Sequence, residues 1–283
     1  MLISPREYFR STGKSPRKRF GQHFLTQLKT AERIVELAEL SPSDVVVEVG
    51  PGLGALTRFI LPKVRRLHLV ELDRDLAAFL QTNLPSEECR VSITQQDILN
   101  VDLCAFVEKK EERLVVLGNL PYNVSSPLVF RLLEFRHCIR RAVLMVQREV
   151  GDRLASLPGG KDYGVLSVLL GVYARVQSIL VVGPGQFYPP PNVDSVVVSI
   201  DFIETLPSDL PPFPFLRRLV NTCFQQRRKT LLNSLRGLVG QDSVLAAKVL
   251  DAAHIDSQRR PETLSPAEFV LLAKSLEVLS AEC

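Results

Sequence analysis

The sequence lacks the features of disulfide-stabilised, zinc-binding, secreted and membrane-spanning proteins. Its five cysteines form no Cys-x-x-Cys pair, and its four histidines show no ligand spacing. This pattern argues against a disulfide framework or a zinc site and favours a reducing compartment. No uninterrupted apolar run is long enough to span a bilayer, and the N-terminus lacks the basic-then-apolar order of a secretory signal. We therefore predict a cytoplasmic protein without a bound metal. The cysteines are Cys89, Cys104, Cys138, Cys223 and Cys283.

The composition is that of an ordinary globular protein without a strong charge bias. The 283 residues are 46% hydrophobic and 23% charged, which allows one large domain, a small one and an ample core. Lys and Arg number 35 against 31 Asp and Glu, and the isoelectric point is about 8.8. Because this excess is mild, an anionic partner has to be inferred from basic clusters rather than from the total charge.

Residues 1–19 are polar and basic, and Glu7 is their single acidic side chain. Such a segment fits a frayed, solvated terminus, a basic arm that contacts nucleic-acid phosphates, or an organelle transit sequence. The arm is taken as residues 1–20. An amphipathic helix is predicted after it, from about Lys29 to Leu40.

A glycine-rich loop follows the first predicted strand. The β-branched run 45–49 indicates a buried strand and leads into Gly50-Pro51-Gly52-Leu53-Gly54. Glycine permits positive φ and close approach of a ligand, and a strand, a glycine turn and a helix start form the first unit of a doubly wound α/β fold. The second strand ends in Glu71, about twenty residues past the loop, the usual position for a carboxylate that binds ribose hydroxyls. The third strand leads to Asp97.

A further buried strand, residues 114–118, ends in Asn119-Leu120-Pro121-Tyr122. Asn119 offers a side-chain acceptor, Pro121 has no N–H and presents only its carbonyl, and Tyr122 adds a flat aromatic face. Two acceptors beside a stacking surface suit the exocyclic amine of a flat base. Asn and Pro are also common turn formers, so the tetrapeptide equally fits an ordinary strand exit.

The second half of the chain predicts further strands and then only helices. In order, the patterns predict a helix at 125–135, a strand at 142–146, a helix at 147–157, a buried helix at 163–174 and paired strands at 176–182 and 193–202. A stiff polyproline-like loop with two aromatic residues lies at 187–192. Residues 206–212 have the composition of a linker. The sequence therefore predicts domains of residues 1–206 and 207–283.

The glycine loop by itself fits two cofactors. The spacing Gly50-x-Gly52-x-x-Ala55 also matches the dinucleotide fingerprint, with Glu71 in the ribose role, and such a match alone is weak. Gly54, Asp97 as an acceptor for an adenine amine, and the Asn-Leu-Pro-Tyr group favour S-adenosylmethionine over NAD. A dehydrogenase also needs a proton-transfer residue near the nicotinamide, and no His or Tyr-Lys arrangement suggests one.

These motifs, in this order, resemble those of the small-subunit ribosomal RNA adenine dimethyltransferases, and the resemblance spans nearly the whole chain. The segments that carry it are Gly21-Gln22-His23-Phe24-Leu25, Glu48-Val49-Gly50-Pro51-Gly52-Leu53-Gly54, Glu71-x-Asp73, Gln96-Asp97, Asn119-Leu120-Pro121-Tyr122, Phe187-Tyr188-Pro189-Pro190-Pro191 with Val193 and Ser195, and Gln226-Arg227-Arg228-Lys229-Thr230-Leu231. His23 departs from the family, in which Asn is frequent at this position. Imidazole can still hydrogen-bond a cofactor.

The resemblance implies a class I S-adenosylmethionine-dependent methyltransferase. Residues 1–206 would form a Rossmann-like, mostly parallel seven-stranded sheet, and residues 207–283 a small all-α RNA-binding domain. The implied reaction transfers methyls to N6 of two adjacent adenosines in a 3′-terminal hairpin of small-subunit rRNA, with a role in small-subunit biogenesis. Cofactor contacts are implied for His23, Leu25, Gly50, Gly52, Glu71, Asp97 and Asn119.

The family's chemistry gives the remaining residues their expected roles. Asn119 Oδ1 and the Pro121 carbonyl are expected to accept the two hydrogens of the target N6 and turn its lone pair toward the methyl. Tyr122 and Phe187 are expected to sandwich the extruded base. Nothing in the sequence demands more than a monomer. The residues expected to contact RNA phosphates are Arg17, Lys18, Arg19, Arg227, Arg228 and Lys229.

Three alternatives remain open at this point. One is a non-catalytic ribosome-assembly or transcription factor on the same fold, and another is an NAD-dependent oxidoreductase. The third is an rRNA dimethyltransferase of the antibiotic-resistance type, which acts on the large subunit. The match through Phe187 and the segment 226–231 favours the small-subunit branch.

Overall fold

The computed structural model describes residues 3–17, 20–84, 90–109, 111–122 and 124–281. Two of the predicted RNA contacts, Lys18 and Arg19, lie outside these ranges. The chain divides into two compact units. The first comprises residues 1–151 and 176–202, and the second comprises residues 152–175 and 203–283.

A seven-stranded sheet forms the centre of the first unit. The strands in chain order are β1 Phe24–Leu25, β2 Val45–Val49, β3 Arg66–Glu71, β4 Val91–Gln95, β5 Leu114–Asn119, β6 Ile139–Gln147, β7 Ala174–Val182, β8 Phe187–Tyr188 and β9 Ser195–Phe202. The large sheet has the order β4-β3-β2-β5-β6-β9-β7. Neighbours from β4 through β6 are parallel, and β9 is antiparallel to β6. The mostly parallel seven-stranded sheet predicted from the sequence is confirmed.

The strand order creates a crevice at the carboxyl ends of β2 and β5. The chain moves outward from β2 to β3 and β4, and then returns to the other side of β2 to form β5. In open α/β sheets ligands bind where the order reverses in this way. Every side chain of β2 is buried, because its β-branched residues are covered on both faces. Val49 pairs with Val70 on one side and Gly118 on the other, so the residues that follow these strands emerge side by side.

The helices flank the sheet or form the second unit. In the described residues they are α1 Pro5–Thr12, α2 Leu28–Leu37, α3 Thr57–Ile60, α4 Arg74–Asn83, α5 Ser125–Glu134, α6 Arg148–Leu154, α7 Val165–Tyr173, α8 Phe213–Gln225, α9 Leu231–Leu235, α10 Ser243–Ala252 and α11 Pro266–Ala281. None of them combines the length and apolar character needed to cross a membrane. On α2 the apolar side predicted from the sequence is buried in the core, with Ile34 and Val35 each 1% exposed.

The N-terminal segment contains a docked helix. Ser4 and Glu7 form a capping box at the start of α1, in which Ser4 N–H donates to Glu7 Oε2 at 3.0 Å and Glu7 N–H donates to Ser4 Oγ at 3.3 Å. Tyr8 and Phe9 are buried, and the Phe9 ring lies 5.4 Å from the ring of Phe24. The prediction of a frayed, solvated terminus is therefore wrong for residues 5–12, because burial of these aromatic side chains fixes the helix.

The second unit is helical. It is built around α7, which is apolar on all sides and therefore has to be covered on every face. The Tyr173 ring meets the Phe213 ring of α8 at 5.6 Å, and a Cβ on Gly171 would lie 2.5 Å from Pro266 of α11. The predicted boundary at residue 206 lies close to the end of the first unit at Phe202. The predicted division placed α7 in the first domain, whereas in the structure α7 belongs to the helical unit.

The sequence argued against a disulfide framework, but in the described residues Cys104 and Cys138 form a disulfide. The two cysteines are 34 positions apart, so the pair has no local sequence signature. Cys223 is buried and free.

Candidate active site

A cavity of about 390 Å³ opens in the first unit at the carboxyl ends of β2, β3 and β5. The structure brings every predicted catalytic and cofactor-binding residue to its wall. These residues are His23, Leu25, Gly50, Gly52, Glu71, Asp97, Asn119, Pro121, Tyr122 and Phe187. They come from six separate stretches of the chain, which the sheet order places around one crevice.

The glycine loop forms the floor of the cavity with its backbone. Gly50, Gly52 and Gly54 have φ of +63°, +58° and +82°, values that non-glycine residues rarely adopt. A Cβ on Gly52 would also lie 3.2 Å from the Phe24 ring. The helix predicted to follow the loop has only four residues, α3. The N–H groups of the three glycines already donate to the Val70 carbonyl, to Glu71 Oε2 and to the Pro51 carbonyl, so the glycines contribute close approach rather than free donors.

Glu71 closes the loop against the end of β3. Its Oε2 accepts from Gly52 N–H at 3.0 Å, and its Oε1 accepts from Asp73 N–H at 2.8 Å. Each carboxylate oxygen has two lone pairs, so each can accept one further hydrogen bond from a ligand hydroxyl. Burial raises the pKa of Glu71 and the charge of Asp73 adds to this shift, whereas the backbone N–H groups of Asp73, Gly52 and Leu72 oppose it.

Asp97 has one oxygen engaged and one available. Its Oδ1 accepts from Leu99 N–H at 3.0 Å and caps the short turn that follows β4. Oδ2 makes no hydrogen bond with the described residues. The half-buried carboxylate therefore presents a free acceptor to the cavity.

Asn119 is held by the N-terminal segment. Its Nδ2 donates to the backbone carbonyl of His23 at 2.9 Å. A carbonyl can only accept, so this bond fixes the nitrogen of the amide toward His23 and leaves Oδ1 as the free end. The side chain that the sequence singled out as an acceptor is thus oriented before any ligand binds.

The Pro121 carbonyl is already used within the turn. It accepts from Val124 N–H at 3.0 Å and from Ser125 Oγ at 3.3 Å, at the start of α5. Both of its acceptor positions are therefore occupied, which disfavours the predicted contact with a target amine. The carbonyl of Leu120, one residue earlier, accepts no hydrogen bond from the described residues, and Leu120 also lines the cavity.

The two predicted stacking residues differ in their surroundings. Tyr122 is half-buried, and its ring lies 5.3 Å from the His23 ring with an interplanar angle of 26°. His23 is itself fixed by a 2.8 Å hydrogen bond between Nδ1 and the carbonyl of Pro189. Phe187 is only 5% exposed and belongs to the short ladder in which it pairs with Leu25. It therefore serves the hydrophobic core as well as the cavity wall.

A buried carboxylate that the sequence analysis left without a role anchors the N-terminal segment. Asp73, 4% exposed, accepts from Arg17 Nη1 at 2.8 Å and from Gln22 Nε2 at 2.9 Å. Arg17 also donates to Asp75 at 2.5 Å. Its guanidinium is thus held by two carboxylates, which disfavours the predicted role in binding RNA phosphate. In the sequence, the Glu71-x-Asp73 motif was the feature that could have indicated this role of Asp73.

In the second unit, the predicted basic cluster divides into structural and exposed side chains. Arg227 Nη2 donates to the Lys161 carbonyl at 2.7 Å and so braces the loop before α7. Arg228 and Lys229 are exposed, and neither forms an ion pair with the described residues. These two side chains are therefore the available cations of the cluster.

Comparisons with known proteins agree with this arrangement. The family model described as "Ribosomal RNA adenine dimethylase" matches residues 13–274. The chain is 46% identical over 263 residues to "Ribosomal RNA small subunit methyltransferase A" of Syntrophotalea carbinolica, covering 93% of this chain and 97% of the relative. A protein with the same description from Pseudomonas aeruginosa is 42% identical over 268 residues, covering 93% and 95%.

Two solved structures share the fold over almost their whole length. A dimethyladenosine transferase from Plasmodium falciparum aligns with a TM-score of 0.77 and 25% identity, covering 91% of this chain and 98% of that one. The 23S rRNA methyltransferase ErmE aligns with a TM-score of 0.65 and 26% identity, covering 90% and 99%. The class I methyltransferase fold predicted from the sequence is confirmed.

One buried acid on the cavity wall, Glu48, has no partner of opposite charge among the described residues. Its Oε2 accepts from Thr57 Oγ1 at 2.7 Å, and the side chain is 1% exposed. Burial raises the pKa of Glu48 to about 8, with a smaller contribution from the nearby Glu71; the Thr57 hydroxyl opposes the shift. Glu48 is therefore protonated in the folded protein over a range in which it is ionised in the unfolded chain.

This difference predicts a pH-dependent effect of Glu48→Gln on stability. Above about pH 4.5 the unfolded chain loses the Glu48 proton, while the folded protein keeps it up to about pH 8, so the contribution of Glu48 to wild-type stability falls as the pH rises through this window. The variant has no proton to lose. Relative to wild type, its free energy of unfolding should rise by about 1.4 kcal/mol per pH unit through this window, measured by urea unfolding.

The buried amide of the variant also changes the free energy of unfolding by an amount that does not depend on pH. That amount does not alter the slope of the difference between variant and wild type against pH. Glu32→Gln, which changes an exposed glutamate, serves as the control and should give a difference that does not vary with pH. A pH-independent difference for Glu48→Gln as well would contradict the assignment.

Proposed function

The chain belongs to the ribosomal RNA adenine dimethylase family, and from this membership together with the geometry of the cavity we propose the following reaction. Methyl groups pass from S-adenosylmethionine to N6 of two adjacent adenosines in a 3′-terminal hairpin of small-subunit rRNA, during small-subunit biogenesis. The observation that carries the proposal is the orientation of Asn119, whose amide nitrogen is bonded to His23 and whose oxygen is free.

The residues around the glycine loop fit S-adenosylmethionine. Glu71 has a lone pair left on each oxygen for the ribose hydroxyls, and Asp97 has a free oxygen for the adenine amine. The loop from Gly50 to Gly54 allows close approach of the ligand, and His23 and Leu25 line the same cavity. When bound, this cofactor supplies a methyl group on a positively charged sulfonium, which needs no further activation.

The protein's contribution to the chemistry is alignment of the target amine. Asn119 Oδ1 would accept one N6 hydrogen, and the carbonyl of Leu120 would accept the other in place of Pro121, whose carbonyl is engaged in the turn. Two acceptors on one side draw the nitrogen toward tetrahedral geometry and direct its lone pair away from them. Their bonds strengthen as positive charge develops on N6, so they favour the transition state over the ground state. The methylated amine is acidic enough to release its proton to water.

Aromatic side chains would hold the extruded base. Base–aromatic stacking contributes roughly 1–3 kcal/mol per base. The ring of Tyr122 is already held by its stacked contact with the ring of His23. Phe187 lines the same cavity, although only 5% of it is exposed. Unpairing and unstacking of the target adenosine cost a few kcal/mol, which stacking on Tyr122 would offset in part.

The alternatives weighed from the sequence are less well supported. Relatives at 42–46% identity carry the description of a small-subunit methyltransferase, whereas the likeness to ErmE, a large-subunit enzyme by its name, is 26%. The NAD-dependent alternative finds no support in these relatives. For this chain we propose cytoplasmic action as a monomer on small-subunit rRNA, without a catalytic metal.

The proposed alignment predicts the effect of Asn119→Ala. Loss of the oxygen leaves N6 with one acceptor, so the methylation rate should fall by about 100-fold or more, the effect seen when one preorganised transition-state contact is removed elsewhere. Transfer of labelled methyl onto unmethylated small subunits, followed by mass spectrometry of the rRNA, measures this. The variant should still fold and bind RNA.

Asn83→Ala provides a matched control, because Asn83 Nδ2 also donates to a backbone carbonyl, that of Phe79, at 2.9 Å, and lies outside the cavity. It should retain full methylation. Full activity of Asn119→Ala would refute the alignment mechanism, and an inactive wild-type protein would favour the non-catalytic assembly factor.

The exposed basic pair predicts a change in the salt dependence of RNA binding. The logarithm of the RNA association constant falls linearly with the logarithm of the salt concentration. Removal of each side chain that neutralises a phosphate should make this slope less steep by about one unit. The double variant Arg228→Ala/Lys229→Ala should therefore show a slope lower by about two, measured by binding to small-subunit rRNA over a range of salt concentrations. Lys248→Ala, an exposed lysine of α10, should leave the slope unchanged. An unaltered slope in the double variant would exclude this pair from the RNA interface.

A further inference from the structure

Three potential metal ligands lie together on the first unit, away from the cavity. Cys104 lies in the turn 103–106, and His137 and Cys138 lie in the turn that precedes β6. Their ligand atoms all lie within 4.8 Å of one another, and Cys104 Sγ is 3.2 Å from His137 Nε2. None of the three lines the cavity described above.

We propose that reduction of the Cys104–Cys138 disulfide converts this cluster into a site for one thiophilic d¹⁰ ion, Zn²⁺ or Cu⁺. A thiol or phosphine reductant supplies the two electrons, the S–S bond breaks, and each sulfur takes up a proton. The ion then binds the two thiolates and the neutral imidazole, and the thiol protons are released to solvent. The disulfide and the bound ion are therefore mutually exclusive states of the same residues.

The ligand set suits such an ion. Two thiolates and an imidazole bind Zn²⁺ or Cu⁺ in preference to the hard cations Mg²⁺ and Ca²⁺, which take oxygen ligands. With Zn–S bonds of about 2.3 Å and a Zn–N bond of about 2.0 Å, ligand atoms of a tetrahedral site lie roughly 3.5–3.8 Å apart. The Cys104 Sγ to His137 Nε2 distance is already close to this range, so cleavage of the disulfide mainly has to let the sulfurs separate.

The backbone around the ligands is braced by other residues. Cys104 N–H donates to Asp102 Oδ1 at 3.0 Å, which caps the first turn. Arg113 Nη2 donates to the Ile139 carbonyl at 2.7 Å, directly after the second turn, and Cys138 N–H donates to the Phe135 carbonyl at 3.0 Å. These contacts brace each turn separately, and none of them involves the disulfide. Each turn that carries a ligand is therefore supported by its own hydrogen bonds when the disulfide is cleaved.

The three ligands differ in exposure, and the exposed one gives an ion access to the site. Cys138 is buried, Cys104 is half-buried and His137 is exposed. An ion can reach the sulfurs from the His137 side, and water can occupy a fourth coordination position there, as in open Cys₂His sites. The buried Cys223 is a poor competitor, because burial raises the pKa of its thiol to about 12.

A bound ion would stabilise the connection between β4 and β5. That connection begins at Gln96 and passes through Asp97 and Cys104, and the ion would join it to the turn before β6. The first unit should therefore resist thermal unfolding better with the ion than in the reduced, ion-free state.

The test uses the full chain, reduced with a phosphine under anaerobic conditions and stripped with a chelator, with free thiols verified by alkylation and mass spectrometry. Titration with Co²⁺ as the probe should give a thiolate-to-cobalt charge-transfer band that saturates at one ion per chain and disappears on addition of Zn²⁺. A parallel titration with Cu⁺ against a Cu⁺ chelator identifies the preferred ion. Stoichiometric binding of either ion supports the proposal, and the melting temperature should rise with it.

Substitutions distinguish this site from adventitious binding. Cys104→Ser and Cys138→Ser should abolish one-to-one binding, and His137→Asn should weaken it by at least about tenfold, since even outer-shell partners are worth 10–100-fold. A Cys89→Ser/Cys283→Ser double variant keeps the cluster and should bind like wild type. Absence of one-to-one binding of Co²⁺, Zn²⁺ and Cu⁺ by the fully reduced protein, or unchanged binding in Cys104→Ser, would overturn the proposal. Methylation activity does not enter this test, so its outcome is independent of the proposed reaction.

Discussion

The candidate site depends on one hydrogen bond, from Asn119 Nδ2 to the backbone carbonyl of His23. A side-chain amide has a donor end and an acceptor end of nearly the same shape, and only the partner of one end decides which way the other points. Here the partner is a carbonyl, so the oxygen of Asn119 is left free at the end of β5. A preorganised acceptor needs no reorientation at the moment of reaction, and this is the main source of its effect on a transition state.

That bond ties the N-terminal segment into the site, and other contacts hold the segment in position. Asp73 binds both Arg17 and Gln22, and the buried ring of Phe9 meets Phe24 beside the glycine loop. Ordering a terminal segment costs conformational entropy, roughly 1–2 kcal/mol per residue for the backbone. The ion pair of Arg17 with the buried Asp73 and the aromatic contacts offset part of that cost, and a segment with the composition of a solvated arm becomes a wall of the cavity.

Most of the fold could be predicted, because it follows from local patterns. For the candidate site, local patterns indicated the glycine loop, Glu71, Asp97 and the segment 119–122, whereas His23, Leu25 and the stacking role of Phe187 came from the resemblance to the family. Buried β-branched strands, the glycine loop and the polar residue after each strand end are local signals, and the sheet order brings them to one edge. Side-chain partners could not be predicted. Whether the Pro121 carbonyl is free depends on how the chain enters α5 within the next four residues. Whether Arg17 faces RNA or a carboxylate depends on partners 56 and 58 positions away. The Cys104–Cys138 pair was missed for the same reason, since 34 positions separate its members.

The most direct test of the central claim is a crystal structure of the protein with S-adenosylhomocysteine and an RNA fragment that contains the target adenosine. The account predicts that N6 lies about 3 Å from Asn119 Oδ1, with Nδ2 still bonded to the His23 carbonyl and the cofactor product beside the glycine loop. An amide rotated so that its nitrogen faces N6, or a target base outside this cavity, would contradict it.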